Sequence, residues 1–81
     1  MSDADKKVAK KIQGFDILKT GRRIRGMTQT EVAHHYGICI RTYRNWESGA
    51  SPVSYDDILA FCDDVFQIPL EEVQRSAVYA N

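Results

Sequence analysis

Apolar residues recur along this chain at intervals of three and four, broken at glycines and prolines, and nowhere keep the two-residue alternation of a strand. Ile17, Leu18 and Ile24 mark the core face of a first helix over residues 15–25, with Gly26 as its stop. Val8, Ile12 and Phe15 carry the same spacing backwards, so residues 1–12 are either a loose arm or a frayed extension of that helix. Thr28 is placed to cap a second helix ending near Tyr36, whose Val32, Ala33 and Tyr36 share a face; Gly37 then supplies a left-handed turn. A third helix starts at Cys39 or Ile40 and runs to Ser48, with Tyr43 and Trp46 inward and Gly49 as its end. Residues 50–54 have loop chemistry. Ser54 caps a fourth helix over residues 55–66, striped by Ile58, Phe61, Cys62 and Val65. Pro69 opens a short fifth helix over residues 69–75, after which the chain is expected to fray. The pattern therefore predicts an all-α fold of four to five short helices around one core.

At 81 residues and 43% hydrophobic content the chain has room for a single core and enough apolar mass to fold without staples. No apolar run approaches the roughly 18 residues of a membrane span. The charged stretch from Met1 to Lys11 leads into no apolar segment, so a secretory leader is not expected. Cys39 and Cys62 are too few and too isolated for a disulfide framework, and a reduced cytoplasmic setting is the simpler expectation. The formal net charge is zero, but it is unevenly spread. Residues 1–49 hold every basic side chain except Arg75, whereas residues 50–81 hold six acids, Asp56, Asp57, Asp63, Asp64, Glu71 and Glu72. Such a chain can turn one end towards phosphates and the other away, although two solvated faces would produce the same split.

The third helix changes that picture. With Tyr43 and Trp46 inward, its free face carries Ile40, Arg41, Arg44, Asn45 and Ser48. A short helix offering arginine and amide side chains suits the major groove of duplex DNA. Arginine can fork onto guanine O6 and N7, and asparagine can do the same for adenine, each worth roughly 1–3 kcal/mol of discrimination. Competing chemistries are weaker. His34 and His35 are adjacent and so point apart, and with Cys39 and Cys62 they lack metal-ligand spacing. The pairs Asp56/Asp57 and Asp63/Asp64 fall at the start and outer face of a helix, where dipole pairing and solvation explain them. No nucleophile–base pair or phosphate-cradling glycine loop is visible, so neither an enzyme nor a cofactor is expected.

Gln29, Ala33, Gly37, an inward residue at Tyr43, the run Trp46-Glu47-Ser48-Gly49, Pro52, and then Ile68-Pro69-Leu70-Glu71-Glu72-Val73 form a spaced set. Over about residues 15–75 that set resembles the helix-turn-helix family of phage lambda repressor and Cro, the Xre-like bacterial regulators. The resemblance implies a helix-turn-helix DNA-binding domain over residues 13–81 behind a basic arm or frayed extension over residues 1–12. It implies that Arg41 and Asn45 are the main base contacts, with Arg44 reading a base or neutralising a phosphate. Ile40 stands where the family often has glutamine, and there it would pack on a thymine methyl. Gln29, Ser48, Arg22 and Thr28 correspond to the side that meets phosphates, and Arg22 and Glu47 match positions that commonly form an ion pair fixing the third helix. Lys6, Lys7, Lys10 and Lys11 would form an arm wrapping the duplex, by analogy with the arm of lambda repressor. Cys39 in place of a Ser/Thr cap and Gly21 in place of a core aliphatic depart from the pattern, so the third helix is expected to start less firmly and the first to be shifted or locally thin.

The function these features imply is a sequence-specific, repressor-like transcription regulator in a bacterial or phage cytoplasm, bound to double-stranded DNA as a homodimer on a pseudo-palindromic operator. Within residues 65–79, the apolar set Val65, Phe66, Ile68, Leu70, Val73, Val78 and Tyr79 exceeds what a lone short helix needs to bury, which marks it as the expected dimer contact. With no effector or protease domain expected, the chain resembles Cro, an antitoxin or a compact phage regulator more than a full-length repressor. The alternative is an antitoxin-like or other protein-interaction module that uses the same fold and its acidic C-terminal half.

Overall fold

Three reciprocal or single caps and three glycines set the helix boundaries of the computed structural model, which describes residues 12–80. These residues form α1 (Gly14–Arg25), α2 (Gln29–Tyr36), α3 (Ile40–Ser48), α4 (Tyr55–Ala60) running directly into a π-helical segment (Phe61–Phe66), and α5 (Leu70–Ala80). No strand occurs among the described residues. The lysines proposed for the arm, Lys6, Lys7, Lys10 and Lys11, lie outside them.

At the start of α1, the Gln13 side chain accepts from the Asp16 N–H while Gln13 N–H donates to the Asp16 carboxylate at 2.9 Å. Thr28 and Glu31 make the same exchange at α2, with 3.1 Å and 2.8 Å bonds. Ser54 accepts from Asp57 N–H at 3.1 Å to start α4. Gly26, Gly37 and Gly49 all lie at positive φ and close the first three helices. At Gly37, with φ 88°, the backbone must double back tightly enough for α3 to leave α2 at once, which a residue with a Cβ reaches only with strain.

The core gathers around the Phe61 ring. Tyr36 stacks on it at 3.9 Å, Trp46 meets it edge-on at 6.1 Å, and Phe66 stacks at 6.0 Å. Leu18, Val32, Tyr43 and Val73 are fully buried around this cluster. Ala33 is buried where α2 and α3 pack together, which explains its small side chain. The π-helical turn follows from the same packing. Phe61 and Phe66 lie five apart and would diverge on an α-helix, and a wider turn brings both into the core. The turn ends in a left-handed Gln67, whose N–H donates to Cys62 C=O.

Four expectations need correction. Ile24 is not core; it is 47% exposed at the last turn of α1, on the wall of an open groove beside α5. The last helix does not stop near Arg75 but continues to Ala80, because Ala77 extends the buried stripe of Val73 by one turn against α1. Gly21 leaves no thin spot: a Cβ there would stand 2.4 Å from the Phe66 ring, so the aromatic occupies the space of the missing aliphatic. The set proposed for the dimer contact is largely spent inside the monomer. Val65, Phe66, Ile68 and Val73 are buried and Leu70 is half-buried, leaving only Val78 and Tyr79 on the surface.

Candidate nucleic-acid interface

The third helix divides into two faces. Tyr43 and Glu47 point inward, and Glu47 is only 3% exposed although it is charged. Trp46 is half-buried on the same side. Outward lie Arg41, Arg44, Asn45 and Ser48, all exposed, with Ile40 half-buried at the edge and packed partly against the core. Neither Arg41 nor Arg44 has an ion pair among the described residues. As expected, Cys39 precedes the helix without a side-chain cap.

A buried charge needs a partner, and Glu47 has a bidentate one. Arg22 Nε and one terminal nitrogen donate to the two carboxylate oxygens at 2.9 Å and 2.7 Å, across 25 residues of chain. The other terminal nitrogen of Arg22 donates to Met27 C=O at 3.1 Å. One guanidinium thus ties the end of α1, the α1–α2 turn and the C-terminal half of α3 together. Burial by itself would raise the Glu47 carboxyl; hydrogen bonds from Arg22 and the Arg22 charge, with the polar Tyr43 hydroxyl close by, override it and hold the group below its ordinary 4.5. The Glu47 hydrogen bond in turn raises Arg22 further, against its own desolvation. Next to this pair the buried Tyr43 hydroxyl finds no hydrogen bond of good geometry, and burial, with Glu47 beside it, drives its phenol far up.

These positions refine the sequence assignments. Arg22 was expected to serve both the ion pair and a phosphate; its donors are directed at Glu47 and Met27, so it belongs to the frame of the helix-turn-helix. Thr28 is exposed with its hydroxyl capping α2. Gln29 begins α2 half-exposed, and its amide reaches Glu47 closely enough to help keep that carboxylate ionised. It stands at the positive end of a helix, where backbone N–H groups favour an anion. Ser48 is at the opposite, negative end of α3, and its hydroxyl is engaged by its own turn, donating to Asn45 C=O and accepting from Ala50 N–H at 3.3 Å each. Of the residues expected at phosphates, Gln29 has the most favourable surroundings.

Two clamps had no sequence signal. Arg25 donates to Phe66 C=O at 2.6 Å and to Gln67 C=O at 3.1 Å, satisfying carbonyls at the end of the π-helical turn. Tyr36 donates to Asp57 at 2.6 Å, and burial together with that bond pushes its phenol up to about 12. Both join residues more than 20 positions apart, and neither has a spacing or composition that would announce it. Of the cysteines, Cys39 is exposed, while burial raises the Cys62 thiol to about 11 and leaves it inert. No described helix is long and apolar enough to cross a membrane.

Compared with known proteins, the chain matches no family model, no curated sequence and no solved structure, so the chemistry of this face must be read from its own residues.

Proposed function

We propose that this chain is a sequence-specific regulator that binds double-stranded DNA with α3 in the major groove. The observation that carries the reading is the division of α3: an anchored inner face, and an exposed outer face of Arg41, Arg44 and Asn45 whose side chains have no ion pair or side-chain hydrogen bond among the described residues. Unpaired, exposed forks on a rigid helix are what direct reading of base edges requires. Arg41 and Asn45, one turn apart, are the principal base readers; Arg44 takes a base or a phosphate, and Ile40 offers its exposed edge to a thymine methyl. Gln29 at the start of α2 takes a phosphate, and its link to Glu47 sets the register between backbone and base contacts.

In this reading two copies bind a pseudo-palindromic site with their third helices one DNA turn apart, about 34 Å. The proposed setting is the reduced cytoplasm of a bacterium or phage-infected cell. Selection of bound duplexes from a random pool tests this: enrichment of a defined motif supports it. Failure to enrich any sequence, together with co-purification of a protein partner, would favour the protein-interaction alternative.

A further inference from the structure

Tyr43 is fully buried on α3, yet its hydroxyl has no hydrogen bond. Its ring centre lies 5.7 Å from that of Phe61, and a phenylalanine would keep that contact without the cost of an unpaired buried hydroxyl. The hydroxyl lies beside the Glu47 carboxylate, which comes one turn later on the same face of α3. A carboxylate has about four acceptor positions, and Arg22 fills two of them with its bonds of 2.9 Å and 2.7 Å. Among the described residues, the Gln29 amide and the Tyr43 hydroxyl are the further side-chain donors beside this carboxylate. They differ in reach: Gln29 is half-exposed at the first position of α2, whereas Tyr43 has no access to solvent.

We infer that the Tyr43 hydroxyl is a reserve donor to Glu47, whose engagement releases the Gln29 amide to a DNA phosphate. In the free protein Gln29 adjoins Glu47 and the hydroxyl is unpaired. Against a duplex, the amide turns outward to a phosphate oxygen, and the carboxylate loses a neighbouring donor that a buried charge needs. Rotation of the hydroxyl and a small turn of the carboxylate then complete a Tyr43–Glu47 hydrogen bond in its place. The buried pair keeps its donors in both states, and a hydroxyl that is unfavourable in the free protein is satisfied on binding. Tyr43 is thus a positioning residue: it touches no DNA and acts through Glu47 on Gln29. The inference rests on the proposed reading of DNA, but the exchange of donors at Glu47 can be measured without it.

A double-mutant cycle of Tyr43→Phe and Gln29→Ala on the full chain tests it, read in thermal melts without DNA and in binding to duplexes. In melts, Tyr43→Phe should shift the wild type little. In the Gln29→Ala background, where the hydroxyl already serves Glu47, it should lower the melting temperature by roughly 4–8 °C. Binding is measured on the duplex that wild-type protein enriches and on an unrelated duplex at low salt. Tyr43→Phe should lose roughly threefold to tenfold in affinity for both, because a phosphate contact carries no sequence information. In the Gln29→Ala background it should change affinity by less than about twofold, since no amide remains to be released. A residue that merely holds α3 in place would act alike in both backgrounds. Equal effects of Tyr43→Phe with and without Gln29, in melts or in binding, overturn the inference, as does undiminished binding by Tyr43→Phe. A wild type that retains neither duplex while the melts show the coupling contradicts the DNA reading and the release to phosphate, and leaves only the donor exchange.

Discussion

Arg41 and Gln29 illustrate how one proposed interface divides its work. Arg41 is exposed on α3 with no ion pair among the described residues, so its loss should remove discrimination at a single base position. Binding assays of Arg41→Ala on single-base variants of the selected site should show roughly 1–3 kcal/mol less preference there. Gln29→Ala should instead weaken binding to every sequence by a similar factor. Equal behaviour of the two variants would mean that the roles are misassigned. Tyr43 makes a different point. Its hydroxyl is buried without a well-made hydrogen bond and lies close to Glu47, so Tyr43→Phe should change stability by less than about 1 kcal/mol in denaturant melts. A clear loss would show that the hydroxyl supports Glu47. Among single residues the sequence was informative where chemistry is local. Thr28 and Ser54 were recognisable as caps, and Arg41 and Asn45 as outward, from their spacing alone. Ile24 misled because periodicity marks a face but not whether a neighbour closes over it, and the groove beside α5 stays open there.

At the scale of the element, α3 depends on the Arg22–Glu47 pair, and that dependence has a pH signature. The folded carboxyl of Glu47 is held below its ordinary value, so its stabilisation is complete above about pH 4.5 and disappears as pH falls through the lower folded value. Asp57, held down by hydrogen bonds from Tyr36 and Ser54, acts in the same direction. Thermal melts should therefore be flat from neutral pH to about pH 5 and decline below it, and Glu47→Gln should flatten part of that decline. At neutral pH the same variant should cost about 1–3 kcal/mol, less than a fully buried pair because the Arg22 side chain is 20% exposed. A second contact of elements joins α1 to the π-helical turn. Gly21→Ala would push a methyl into the fully buried Phe66 ring, and a loss of about 1–3 kcal/mol is expected in the same melts. Element boundaries were legible wherever a glycine or cap marks them. The widened turn at Phe61–Phe66, the extension of α5 to Ala80 and the Arg25 clamp were not, because each answers to packing between segments distant in the chain.

Over the whole molecule, charge and shape support one another in the proposed role. The side carrying α3 presents exposed Arg41 and Arg44, while Asp56, Asp63, Asp64 and Glu71 lie exposed on α4, its π-helical continuation and α5. Such a distribution orients the molecule towards a polyanion without a net positive charge. Affinity should then fall with salt by about 0.9 log units per log unit of salt for each phosphate neutralised. The all-α fold and its single core were legible because helical periodicity persists through the described chain. Which apolar residues near the C-terminus fill the core was not, since they look alike in sequence whether they are buried, like Val73, or exposed, like Val78. The most direct measurement of the central claim is selection from a random duplex pool at low salt, followed by footprinting of the enriched site with wild-type protein and Arg41→Ala. A defined motif, protected by the wild type and read less strictly by the variant, is the expected result. No enrichment and no protection at low salt would contradict a DNA-reading α3.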